Sequence, residues 1–266
     1  MPVFTDQLGR KILLPQFPKR VISIVPSQTE LLYDLGLEEE VIGITKFCVH
    51  PKKWFHNKQR VGGTKQLNIK IIEELKPDII IANKEENAKE QIDELEKNYR
   101  LWISDIKTLP DALQMIQSIG EITGRTEKAK IIVKQIEDKF AELLAQSQTQ
   151  NYKLKTAYLI WRNPYMTAGG DTFINEMMKY CKLENIFEHT NRYPTITEDD
   201  LLKNNCELLL LSSEPFPFKE KHARELQKKL PGRKIILVDG EMFSWYGSRL
   251  LYAPQYFQHL LSEMGK

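Results

Sequence analysis

The chain has 266 residues, 41% apolar and 28% charged, and its 38 basic groups against 36 acidic ones leave a net charge of only +2. That composition suits a globular protein with room for two lobes, and excludes collagen-like, disordered and coiled-coil chains. It offers no basic field to hold nucleic acid, and aliphatic runs such as Leu208–Leu211 fall far short of a membrane span.

In chain order, Val21–Val25 after Pro18 reads as a β-strand. Ser27 with Glu30 fits a capping box before the apolar residues Leu31, Leu32, Leu35 and Leu37, and Gly36 ends that helix. Val41–Ile44 is a second strand. Ile69, Ile71, Ile72 and Leu75 form a helical stripe that stops before Pro77. Ile79–Ala82 lacks alternation, as a strand buried on both faces does. Strands and helices that alternate in this way argue a parallel α/β sheet. From Thr108 to about Gln148 there is no strand signal. One helix opens at Leu109-Pro110-Asp111 and breaks at Gly124. A second, capped by Thr126, carries Ile131, Ile132, Ile136, Phe140, Leu143 and Leu144 to about Ala145, a span of about 30 Å.

The α/β pattern then returns, with a strand at Thr156–Trp161 and a helix opened by Gly169-Gly170-Asp171-Thr172 that runs through Phe173, Met177 and Tyr180. A short helix at Glu198–Leu202, strands at Leu208–Leu211 and Ile235–Val238, and a helix after Pro254 complete the chain. The two α/β parts look like copies of one plan. The expected fold is therefore α/β: two similar lobes with mainly parallel sheets, joined by one long helix, with a ligand cleft between the lobes. The N-terminal lobe is expected over 1–108, the connecting helical segment over 109–150 and the C-terminal lobe over 151–266.

Catalytic signatures are absent: no GxSxG, no P-loop, no HExxH. Gly62-Gly63 and Gly169-Gly170 read as tight turns. Cys48, Cys181 and Cys206 are an odd count without CxxC spacing and read as free buried thiols. The five histidines, His50, His56, His189, His222 and His259, show no metal-ligand spacing, so neither a metal site nor an intrinsic cofactor is expected. His50 stands out because Phe47-Cys48-Val49-His50-Pro51 follows a parallel strand, where α/β ligands sit. Trp161, Tyr165, Tyr193, Phe216, Phe218, Phe243, Trp245 and Tyr246 fall in loops after strands, and such a group suits a large, flat, apolar ligand. The basic run Phe218–Lys234 and the acidic run Glu85–Glu96 read as solvated faces.

Several segments together resemble a known family. They are Arg20-Val21-Ile22-Ser23-Ile24-Val25-Pro26-Ser27-Gln28-Thr29-Glu30, Leu35-Gly36-Leu37, Val61-Gly62-Gly63, Leu75-Lys76-Pro77-Asp78 and Ala168-Gly169-Gly170-Asp171-Thr172-Phe173. The family is the helical-backbone (class III) substrate-binding proteins of ABC importers for cobalamin and iron-siderophores. The resemblance implies a non-enzymatic monomer with little hinge motion, which carries cobalamin or a related corrinoid to an ABC permease in the periplasm or cell envelope. The N-terminus has no basic or apolar signal segment, which leaves a cytoplasmic location open.

By the same resemblance, Phe47, Trp161, Tyr193, Trp245 and Tyr246 would pack on the corrin, with His50, Tyr165 and Phe243 in the same loops. Ser244 and Arg249 would hydrogen-bond its amides or phosphate. Permease docking would use one acid per lobe. The matching positions hold Lys70, in Asn68-Ile69-Lys70, and Asp199, and a lysine would repel an arginine of the permease. The other readings are a haem or iron-siderophore binder of the same superfamily and a tetrapyrrole metal chelatase-like enzyme.

Overall fold

A computed structural model describes residues 2–146 and 153–264, and the chain divides into two α/β units. One holds Met1–Ile106, Pro110–Ile136 and Tyr246–Arg249; the other holds Lys107–Leu109, Glu137–Trp245 and Leu250–Lys266. The boundary expected at 150/151 lies outside the described residues.

The first unit opens with an antiparallel hairpin, β1 (Val3–Thr5) and β2 (Lys11–Leu13), which the sequence pattern did not signal. The chain then alternates through β3 (Val21–Ser23), α1 (Pro26–Asp34), β4 (Val41–Ile44), α2 (Lys52–Asn57), β5 (Gln59–Arg60), α3 (Ile69–Leu75), β6 (Ile79–Asn83), α4 (Lys89–Leu95) and β7 (Leu101–Ser104). The sheet is five-stranded, in the order β5-β4-β3-β6-β7, and every pairing is parallel. The first long run of the sequence is thus the central strand. β3 and β6 are buried at every residue, because helices cover both faces of a parallel sheet. Ile22, Ile24, Ile80 and Ala82 pack with Val61, Ile72, Leu101 and Ile103 to form one side of the core.

The helix ends show where local rules held and where tertiary contacts overrode them. Asn68 caps α3 by accepting from the Ile71 N–H at 3.2 Å. Gly36 ends α1 with φ +82°, and Gly124, with φ +70°, separates the helices Leu109–Ile122 and Thr126–Gln146. The capping box expected at Ser27 and Glu30 is not formed. Pro26 occupies the first turn, Val25 is the N-cap, and no side chain caps it. Glu30 instead makes a charged, two-point bond to Arg249, a stronger interaction than a neutral cap. The long helix is present as α6 (Thr126–Gln146), after α5 (Leu109–Ile122). Its buried stripe is Ala129, Ile132, Val133, Ile136, Phe140 and Leu143, whereas Ile131 and Leu144, expected on the same face, are exposed. Each is one residue, or about 100°, from the stripe, so the neighbouring aliphatic residue takes the core position. The first part of α6, to Ile136, belongs to the first unit and the remainder to the second.

The second unit runs β8 (Lys155–Trp161), β9 (Tyr165–Thr167), α7 (Phe173–Tyr180), β10 (Glu184–Asn185), β11 (Thr195–Ile196), α8 (Glu198–Lys203), β12 (Leu208–Ser212), α9 (Glu220–Lys229), β13 (Lys234–Val238), α10 (Gly240–Ser244) and α11 (Ala253–Met264). The first strand is again central. β12 and β10 pair with β8 in parallel, and β13 extends the sheet from β12. The departure from the first unit is an antiparallel margin, β9 against β8 and β11 against β9. The fold is therefore two similar α/β lobes whose sheets are mainly parallel.

The Gly169-Gly170 turn before α7 packs tightly against backbone. Gly169 N–H donates to Arg192 O and Gly170 N–H to Thr190 O, each at 2.8 Å, and a Cβ on Gly170 would overlap the Glu188 carbonyl. Gly170→Ala should therefore destabilise the protein by about 1–3 kcal/mol or more. Urea unfolding measures this directly, and a wild-type midpoint would contradict the close approach.

Candidate functional site

In the first unit, the loop after β4 carries Phe47 and His50. Thr45 Oγ1 accepts from the Phe47 N–H at 3.3 Å, and Cys48 turns inward between Thr29 and Thr45, with Sγ–Oγ1 distances of 3.1 and 3.2 Å. Burying Cys48 leaves Phe47 on the outside, 51% exposed, with Lys46 Nζ 5.2 Å from its ring centroid. Gly63 stands beneath that ring, and a Cβ there would come within 3.0 Å of it. His50 is partly buried, before Pro51, and its charge acts on Glu30.

The Glu30 carboxylate faces Arg249, with Nε–Oε2 at 2.9 Å and Nη2–Oε1 at 2.5 Å, and both side chains are nearly buried. Burial pushes the Glu30 carboxyl above its usual range despite the opposing pull of Arg249. The sequence reading turns Arg249 toward a ligand; in the structure its guanidinium fork is engaged by Glu30. Tyr246, in the same segment, is buried.

In the second unit, Trp161 is the last residue of β8 and is 41% exposed. Its ring meets Phe216 edge-on, with centroids 5.9 Å apart. Tyr165, at the start of β9, and Tyr193, before Pro194, are half-buried. Phe243, Ser244 and Trp245 depart from the post-strand loop the sequence suggested. Phe243 and Ser244 lie in α10, and Phe243 is fully buried, its ring 5.1 Å from Tyr158 and 4.8 Å from Phe257. It is a core residue, placed there by a short helix that the Asp239 side chain caps.

Ser244 and Trp245 converge on Glu214, a half-buried acid that sequence reasoning passed over. Ser244 Oγ lies 2.7 Å and Trp245 Nε1 2.8 Å from Glu214 Oε1. Burial raises the Glu214 carboxyl above its usual range; these two donors oppose the rise, and the charges of Glu241 and Asp239 add to it. The aromatic pair Phe216 and Phe218 was visible as a Phe-Pro-Phe sequence, but nothing local predicted that His222 packs against both rings, at 5.3 and 5.8 Å.

Lys70 and Asp199 occupy matching places. Each is exposed, and each is the second residue of its helix, α3 after Asn68 leading into β6 and α8 after Thr197 leading into β12. The three cysteines are free and buried. Among the described residues no group of His, Cys, Asp and Glu could hold a metal ion, and no helix is long and apolar enough to cross a membrane.

In α/β sheets ligands bind outside the carboxyl ends of the strands, and Phe47 and Trp161 stand there on the two units. The family described as periplasmic binding protein matches residues 21–230, and the chain belongs to it. It is a family of solute binders, not of enzymes. Among its relatives, a vitamin B12-binding protein of Pectobacterium carotovorum is 25% identical over 243 residues, 90% of this chain and 86% of that protein. An uncharacterized ABC transporter substrate-binding lipoprotein of Bacillus subtilis is also 25% identical, over 77% of this chain and 67% of its own length. The crystal structure of the periplasmic vitamin B12 binding protein of Vibrio cholerae shares the fold, with a TM-score of 0.79 at 20% identity over 95% of this chain and all of that one.

Glu214 gives a signed pH test. The fold favours its neutral form, so its contribution to stability is full below the ordinary carboxylate range and is lost as pH rises through the raised value. Glu214→Gln keeps an acceptor for Ser244 and Trp245 but does not titrate. The Tm of the variant relative to wild type should therefore grow from about pH 4 to about pH 7. A difference that shrinks with pH would show that the donors outweigh burial.

Proposed function

We propose that this chain is the substrate-binding protein of an ABC importer, and that it carries cobalamin or a related corrinoid on the outer side of the cytoplasmic membrane. The observation that carries the reading is Trp161. A large indole stands 41% exposed at the carboxyl end of a central parallel strand, braced by a second ring and not packed in the core. Phe47 takes a comparable exposed place after β4 in the other unit. Exposed rings of this size are suited to a broad, flat tetrapyrrole. Family membership and the vitamin B12-binding relatives support the same ligand class.

In this proposal Phe47, Trp161, Tyr165 and Tyr193 offer the contact surface, with His50 beside Phe47. Ser244 and Trp245 support it through Glu214, Phe243 through the core, and Arg249 through Glu30, with Tyr246 buried in the same segment. Lys70 and Asp199 mark the surfaces that meet the permease, one on each unit. Asp199 suits an arginine of the partner, whereas Lys70 requires a different complement.

Titration calorimetry with cyanocobalamin should show one site per chain. Trp161→Ala removes a contact worth roughly 1.5–3 kcal/mol, so affinity should fall by about one to two powers of ten. Melting should change little, because the ring is not core. A strong Soret band on titration with haemin and no heat with cyanocobalamin would move the assignment to haem. Docking is tested separately: with a permease that offers arginines, Lys70→Glu should strengthen complex formation and Asp199→Ala should weaken it. No change in either variant would place docking elsewhere.

A further inference from the structure

We infer that Phe216 is a positioning residue for the ligand, and that with Phe218 and His222 it fixes the orientation of Trp161 before the ligand arrives. The inference rests on the proposed role of Trp161; it adds His222, which the sequence reading did not single out, and gives Phe216 and Phe218 a role behind the contact surface. Trp161 is the exposed end of a ring ladder. Phe216 meets its indole at 5.9 Å with an interplanar angle of 69°. Phe218 meets Phe216 at 4.8 Å and 69°, and His222 lies 5.3 Å from Phe216 and 5.8 Å from Phe218. Exposure falls along the ladder, from Trp161 through half-buried Phe216 to Phe218 and His222, which are each 5% exposed.

The base of the ladder is held by hydrogen bonds. His222 Nδ1 accepts from the Lys219 N–H at 3.0 Å, which fixes the imidazole to the start of α9. The Phe216 N–H donates to Ile160 O at 3.2 Å, so the bracing ring is tied to the residue before Trp161 on the same strand. The Phe218 N–H donates to Phe216 O at 2.8 Å. The edge-on geometry places positive ring edges against negative faces and selects one orientation of each partner.

An unbraced exposed indole would sample several rotamers, and ordering it on binding would weaken affinity. Phe216 removes that cost without touching the ligand itself. Its contribution should be about 2- to 10-fold in affinity, and it should vanish when Trp161 is absent.

The test is a double-mutant cycle read by cyanocobalamin calorimetry on the whole chain, with wild type, Trp161→Ala, Phe216→Leu and the double variant. Phe216→Leu keeps apolar volume but loses the ring. It should weaken binding about 2- to 10-fold alone and add nothing in the Trp161→Ala background. The near-ultraviolet circular dichroism that Trp161 contributes should also diminish in Phe216→Leu, and Phe216→Tyr, which keeps the ring, should bind like wild type. Should the leucine variant not fold, Phe216→Met completes the same cycle. Equal weakening with and without Trp161 would make Phe216 merely structural and overturn the inference. Unchanged affinity in Phe216→Leu beside a weakened Trp161→Ala would overturn it while the ligand reading stood. Wild-type affinity in Trp161→Ala, or no cobalamin binding at all, would overturn both.

Discussion

The structure depends on the burial of parallel strands on both faces. β3, β6 and β12 are buried at every residue, so their backbone groups have no water to bond and must pair with neighbouring strands. That requirement puts β3 and β8 at the centres of their sheets and covers the sheets with helices. The loops at the carboxyl ends are then the places where side chains can be exposed without breaking the core. Phe47, Trp161 and Phe216 all stand there, at or just past the ends of β4, β8 and β12.

Two partly buried acids each bond part of the segment after β13. Glu214 receives Ser244 and Trp245, and Glu30 receives Arg249 from 219 residues away. A carboxylate removed from water is costly unless it is paired, and the removal of one partner leaves the other uncompensated. These contacts explain why Arg249 and Ser244, polar residues beside aromatic ones, face inward.

The two units share a helix-capping device but differ in charge. Thr197 and Asp200 form a reciprocal box at the start of α8, with Asp199 between them, where an acid also complements the helix dipole. Asn68 caps α3 alone, and Lys70 places a positive charge at the same helix end, against the dipole.

The sequence by itself determined the alternation of strands and helices, the two repeated plans, the long helix from Thr126, the glycine breaks and the buried thiols. These follow from local rules: unbroken aliphatic runs, the 3.6-residue period, caps and left-handed glycines. It also made the family legible, because motif segments spread over both halves carried the resemblance. Tertiary structure alone decided which aromatic residues are exposed. Trp161 and Phe243 both follow buried runs in the sequence, yet one ring faces outward and the other fills the core. It decided the partners of Glu30, Arg249 and Glu214, the place of Ile131 outside the stripe of α6, and the ladder from Trp161 to His222. Each of these depends on residues brought together from distant parts of the chain, and no local pattern encodes a pairing across that distance.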